Sequence, residues 1–213
     1  MKPGSLLIIG AWLLLLGGVV DLINNAVGSI FAVSSGDGMP SSAQMFVGMF
    51  TAVLIFLGLP VLVALQRKRA RVLSLVGVGF LMLTLLAGLV LLVQVLSLVS
   101  TQPVTPNDAS SSPPIGILVC AIILTIAGTI GGIVEGIAVL RARVLVAGIA
   151  WLFFVGALLQ LVGFFLEGLP STLVSSANAA AFDLAIIWSA FYVIRPRSTI
   201  AESLQGQSLP QGN

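Results

Sequence analysis

The sequence predicts an all-α integral membrane protein, a bundle of six transmembrane helices. Three observations carry this prediction: 58% of the 213 residues are hydrophobic, only 8% are charged, and the apolar residues fall in six long runs. A soluble domain has about a quarter of its residues charged. Because about 20 helical residues cross a hydrocarbon core, we expect spans at about 6–30, 45–65, 72–99, 115–140, 144–166 and 172–194.

Polar segments rich in Gly, Pro and Ser separate the runs at three places. SSGDGMPSS (34–42), STQPVTPNDASSSPP (100–114) and EGLPS (167–171) have the composition of loops. We place the six-span domain at 1–197 and expect a disordered cytoplasmic tail at 198–213. Within the second run, Pro60 is expected to kink or break the helix, because proline removes a backbone hydrogen bond.

All the basic residues lie at the N-terminus, in alternate connectors and after the last run, and none lies in the three polar loops. Basic residues near span ends resist translocation. We therefore expect both termini in the cytoplasm and the chain in the plasma (inner) membrane. Anionic lipid headgroups are the expected partners, since the RKRAR cluster lacks the interleaved aromatic residues of nucleic-acid sites. The nine are Lys2, Arg67, Lys68, Arg69, Arg71, Arg141, Arg143, Arg195 and Arg197.

The pentapeptide RARVL occurs twice, at 69–73 and 141–145, each time between two apolar runs. One interpretation is a chain of three two-helix repeats joined by basic turns. The other is that unrelated Leu- and Val-rich helices need the same cytoplasmic anchor, with arginines that extend toward headgroups. Residues 11–23 also align without gaps to 150–162, which argues against a cleaved secretory signal at the first run.

Three acidic residues interrupt the apolar runs, and no basic residue accompanies them there. Asp21 lies roughly 22 Å along its helix and Asp183 lies near the midplane. Glu135 lies about 9 Å from the cytoplasmic surface. Its side chain can therefore extend toward Arg141 or Arg143, which weakens its case as a path residue. A charged, unpaired carboxyl in hydrocarbon costs several kcal/mol, so all three are expected to face the bundle interior.

Glycines recur every four residues on the fourth run, at Gly128, Gly132 and Gly136. Small residues let helix backbones approach closely, and in lipid this contact drives helix association. The GxxxGxxxG pattern therefore predicts a packing face. The face is used within the bundle, or between this chain and a second copy or a partner membrane subunit.

Two functions fit these residues. The first is transport of a proton, a cation or a small solute along a path of carboxyl and amide groups. The second is a non-catalytic structural or accessory subunit of a membrane complex, which packs through the glycine face and buries its carboxyls singly. The candidate path residues are Asp21, Asn24, Asn25, Glu135, Gln160 and Asp183.

An enzyme is the least supported class. The chain has no His and one cysteine, Cys120, which excludes imidazole metal sites and a Cys–His pair. Asp21 and Asp183 are expected to differ in depth by several Å, and neither lies in a motif of intramembrane aspartyl enzymes. We expect no metal and no cofactor.

Overall fold

A computed structural model of the chain describes residues 3–35, 41–101, 114–166 and 169–195. Every regular element in these ranges is an α-helix. Six helical segments are long and apolar enough to cross a membrane, which indicates a multi-pass membrane protein as predicted. The helices are α1 (Pro3–Ser35), α2 (Ser42–Gly58), α3 (Pro60–Leu65), α4 (Arg71–Thr101), α5 (Ile115–Ala142), α6 (Ala147–Phe164) and α7 (Leu169–Ile194).

The helices begin where the local sequence favours a start. Ser41 and Gln44 form a capping box at α2: the Ser41 hydroxyl accepts from the Gln44 N–H at 3.3 Å, and the Gln44 side-chain oxygen accepts from the Ser41 N–H at 2.8 Å. Pro170 lies in the first turn of α7, where its missing N–H has no helical partner to lose. Residues 169–171, predicted as loop, therefore belong to α7.

The predicted break in the second span is confirmed. α2 ends at Gly58 and α3 begins at Pro60, with Leu59 between them. Pro60 has no N–H to donate to the carbonyl of Phe56, so the helical ladder is interrupted there. Leu59 keeps right-handed helical dihedral angles, and α2 and α3 together still form one span.

The six spans form a closed ring in chain order, with α2 and α3 counted as one span. Each span packs against the next, and α7 packs against α1. The hydroxyls of Ser29 and Ser176 lie 2.5 Å apart, and a Cβ on Gly18 would lie 2.9 Å from Ile187, so α1 and α7 run antiparallel. Of the contacts that close the ring, the one between α2 and α4 is the least extensive.

Basic side chains gather at one end of the ring, which we call the basic end. Those that the structure describes are exposed. They lie in the α3–α4 turn and the first residue of α4, at the end of α5 and just after it, and in the residue after α7. Antiparallel packing of successive spans brings these three segments together. Lys2 and Arg197 lie outside the described residues. The described basic residues are Arg67, Lys68, Arg69, Arg71, Arg141, Arg143 and Arg195.

The two RARVL copies meet at the basic end, yet they differ in conformation. The first copy leads into α4, which begins at Arg71. The second ends α5, and Arg143 adopts a left-handed conformation with φ of 52° as the cap. Ala70 and Ala142 pack in one small cluster with Ala138. The same pentapeptide therefore builds two different turns that fold against each other.

The apolar core lies in the half of the bundle next to the basic end. All six spans contribute to it. Large apolar side chains also cover the outside of the ring, as expected of helices that face lipid. The other half of the bundle holds fewer buried side chains and leaves internal space. The largest fully buried apolar side chains are Leu14, Leu59, Leu62, Ile149 and Phe153.

Candidate functional site

A central cavity of about 300 Å³ lies beside the core, on the side away from the basic end. Every span supplies part of its lining. The cavity brings together four of the six candidate path residues, one or two from each of α1, α6 and α7. They are Asp21, Asn25, Gln160 and Asp183.

Asp21 is held by two neighbours that the helical packing supplies. Its Oδ1 accepts a hydrogen bond from the Thr51 hydroxyl of α2 at 2.7 Å. Its Oδ2 accepts from the amide of Asn25, one turn further along α1, at 3.2 Å. Both oxygens of this partly buried carboxyl therefore have a donor, which lowers the cost of keeping it inside the bundle.

The Thr51 hydroxyl can serve Asp21 in two ways. Besides its contact with Asp21, the hydroxyl lies 3.0 Å from the carbonyl oxygen of Gly48. A hydroxyl has one proton and two lone pairs. When Asp21 is charged, Thr51 donates to it; when Asp21 is protonated, it donates to Thr51, which then donates to Gly48. The same heavy-atom positions therefore accept both forms of Asp21.

Asp183 is the less satisfied carboxyl of the pair. Its side chain is 3% exposed, and its buried Oδ2 has no hydrogen-bond partner among the described residues. Its carboxyl is close enough to Asp21 for the two charges to interact, and it lies near the side-chain amide of Asn25. The α1–α7 register places both carboxyls at the same level of the bundle. The expected difference in depth of several Å between Asp21 and Asp183 is therefore wrong. The two carboxylates repel each other unless one of them is protonated or a cation lies between them.

Gln160 lies in the lining of both the central cavity and a second one. The second cavity has a volume of about 210 Å³ and shares Leu124 and Gln160 with the first. Gln160 accepts a hydrogen bond from the amide of Asn178, whose own carbonyl oxygen is buried without a partner among the described residues. Ser175 and the end of α6 also line the second cavity. The second cavity therefore lies farther from the basic end than the central cavity does.

Glu135 lies elsewhere, in a polar cluster under the α3–α4 turn. It is fully buried, and its Oε1 accepts from the amide of Gln66 at 2.5 Å and from the hydroxyl of Ser74 at 3.3 Å. Gln66 folds under the turn, so among the described residues Glu135 is held by Gln66 and Ser74 and not by Arg141 or Arg143. Glu135 therefore joins α5 to the α3–α4 turn and does not line the central cavity.

Asn24 also lies outside the lining of the central cavity. Its amide donates to the backbone carbonyl oxygen of Gln44 in α2, at 3.3 Å. The neighbouring Asn25 faces the cavity because successive helical residues point about 100° apart. The two asparagines therefore differ in role by one position: Asn24 joins α1 to α2, and Asn25 supports Asp21.

The glycine face of α5 is buried within this chain. A Cβ on Gly132 would lie 3.0 Å from Ala157 and from the backbone oxygen of Phe153 in α6, and one on Gly136 would lie 2.6 Å from Phe154. Gly128 faces Gln160. The glycine face predicted for packing therefore lies against α6. The close approach of α5 to α6 positions Gln160 at the cavity.

Several polar residues of these sites were not singled out from the sequence. Thr51 and Asn178 contact the predicted path residues, and Gln66 and Ser74 hold Glu135. Thr51 and Ser74 are single polar residues in apolar runs, and this isolation is a signal that points to a buried partner. Gln66 and Asn178 have polar residues nearby in the sequence and carry no such signal. Their partners are distant in sequence, so only the fold identifies them.

Among the described residues, no three His, Cys, Asp or Glu side chains gather where they would hold a metal ion. No protein-family model, no curated protein and no solved structure matches this chain. The function is therefore argued from the central cavity and its polar groups.

Proposed function

We propose that this chain is a membrane transport protein that carries a small cation through its central cavity. The observation that supports the proposal is the convergence of Asp21 and Asp183 on one internal space, together with the amide groups of Asn25 and Gln160. Ionisable groups buried in membrane proteins are rare and mark ion or proton pathways.

The lining of the central cavity favours positive charge. Of the described residues that line it, two carry carboxyls and none is Lys or Arg. In a low-dielectric interior, the negative charge of these carboxyls has to be neutralised by protonation or by a bound cation. Because the Thr51 hydroxyl accommodates both forms of Asp21, a proton leaving Asp21 can be exchanged for a cation without rearrangement of α1 and α2.

The two ends of the path differ. The apolar core closes it toward the basic end, with Leu14, Leu62 and Phe153 fully buried there. The second cavity lies next to it, toward the other end. A transport cycle on this fold therefore requires the core side to open after the cation has bound, as alternating access demands.

Replacing Asp21 or Asp183 with Asn is expected to lower cation uptake about tenfold, equivalent to about 1.4 kcal/mol of lost binding. Asparagine keeps the shape of the side chain and removes its charge. Uptake of radiolabelled methylammonium into proteoliposomes under a negative-inside potential measures the effect, while a trapped pH dye reports proton movement.

Asn25→Ala and Asn24→Ala form a matched pair for that experiment. The first removes the donor to Asp21 and should lower uptake, whereas the second removes a bond outside the cavity and should leave it unchanged. Wild-type uptake equal to that of protein-free liposomes, or full uptake by both Asp variants, would contradict the proposal.

The proposed orientation places the basic end in the cytoplasm of the cell, with both termini inside and the basic side chains against anionic headgroups. A fluorescent protein fused after Asn213 is then expected to fluoresce, and alkaline phosphatase fused at the same point to be inactive. As a positive control, phosphatase inserted in the 102–113 segment should be active. The reverse pattern of the three reporters would overturn the orientation.

The alternative function, an accessory subunit that packs through its glycine face, is less well supported because α6 already covers that face. We also propose no catalytic role. Apart from the two carboxyls, the cavity lining is mostly aliphatic and offers few groups to stabilise a developing charge.

A further inference from the structure

The central cavity has two chemically different walls. The carboxyl and amide groups come from α1, α6 and α7, and they include the buried, unpartnered oxygen of Asp183. The α4 side presents mainly aliphatic groups, among them Leu85, Leu89 and Leu92. A ligand that fills this space therefore meets carboxyls on one side and hydrocarbon on the other.

The aliphatic wall lies beside the weakest contact of the ring. α2 and α4 pack against each other less extensively than any other pair of neighbouring spans. Leu85, Leu89 and Leu92 line the cavity and are each only partly buried. These side chains therefore lie between the cavity and the outer face of the bundle on the α4 side.

We infer that the cation recognised by the central cavity is organic, with an apolar body, and that it enters from the lipid between α2 and α4. This inference rests on the proposed transport function and specifies its substrate class. The positive group compensates Asp21 and Asp183, and the apolar body covers the α4 leucines, so both walls lose contact with water.

A small inorganic cation fits the cavity less well. Hard cations need several oxygen ligands around them, and the described residues gather no cluster of three acidic side chains. A hydrated inorganic ion would also leave the leucine side chains wet. An organic cation satisfies the carboxyls by charge and hydrogen bonding, and it needs no full shell of oxygen ligands.

Binding of phenyltrimethylammonium to the purified protein in nanodiscs tests the substrate class. We expect tetramethylammonium, which lacks the ring, and tert-butylbenzene, which lacks the charge, each to compete for this site at least about tenfold less well. Asp183→Asn should weaken phenyltrimethylammonium binding by a similar factor. Tetramethylammonium binding as tight as phenyltrimethylammonium would overturn the apolar body and leave the proposed transport of cations intact. Absence of binding and uptake of any cation would overturn both.

Leu89→Trp tests the route, with Val90→Trp as the matched control. Leu89 lines the cavity, whereas Val90 is 48% exposed on the outer face of the same helix. A bulkier side chain at 89 should slow association of phenyltrimethylammonium severalfold, and one at 90 should leave the rate unchanged. Equal rates in the two variants and in the wild type would overturn entry between α2 and α4.

Discussion

Replacing Gly77 with alanine is expected to destabilise the folded protein by about 2–3 kcal/mol, in the range of overpacked interiors. A Cβ at this position would lie 2.8 Å from the backbone nitrogen of Glu135 and 2.9 Å from its Oε2. The added methyl group would clash with the backbone of Glu135 and with its carboxyl, which Gln66 and Ser74 hold in place. Neither group can move aside easily. α4 and α5 must therefore separate, which pulls Glu135 from its partners.

Gly79→Ala is the matched control, two residues along the same helix. A Cβ on Gly79 would meet nothing within 4 Å. Alanine favours a helix over glycine by about 1 kcal/mol, so this variant should be as stable as the wild type or more stable. Unfolding in mixed micelles, followed by far-ultraviolet circular dichroism, measures both. Equal stability of the two variants would mean that α4 and α5 are not held together at Glu135.

Replacing Ala52 with phenylalanine is expected to reduce cation uptake to the level of protein-free liposomes. Ala52 lines the central cavity from α2, next to Thr51. A benzyl group there occupies the space in front of the carboxyls without removing either of them. The loss should exceed that of a single Asp→Asn variant, which leaves the second carboxyl and the shape of the cavity in place.

Val53→Phe is the control for this prediction, because Val53 is the next residue along and is 44% exposed on the outer face. It should transport like the wild type. Gly88→Val fills the cavity from the neighbouring helix α4, where a Cβ would meet only Leu124, at 3.6 Å, and it should reproduce the loss. Normal uptake by both filled variants would show that the cation does not pass through this cavity.

The architecture was largely predictable because each span carries its own signal. Six apolar runs predicted six long helices, and Pro60 predicted the interruption of the second. These features depend on local composition and on the backbone, so no knowledge of neighbouring helices is needed. α7 begins at Leu169, before the residue 172 that composition predicts, because proline is well tolerated in a first helical turn.

The candidate site was less predictable because it depends on which helices are neighbours. Asp21 and Asp183 are far apart in sequence and meet because α7 returns to pack against α1. Glu135 was paired with the nearest arginines in sequence, although Gln66 reaches it through the fold of the α3–α4 turn. Helical periodicity shows which face of a helix is polar, but the partner of that face is a property of the whole bundle.

The interruption between α2 and α3 divides the second span into two segments that are held by different neighbours. α3 is clamped, because Val61 packs against Gly10, and Gln66 just beyond it holds Glu135. On the other side of Leu59, α2 lacks the backbone hydrogen bond that Pro60 cannot donate. It also has few contacts with α4. A rotation of α2 about Leu59 would widen the gap toward α4 while α3 stays fixed. Such a hinge would let a solute move between lipid and protein while the barrier against ion leakage stays shut.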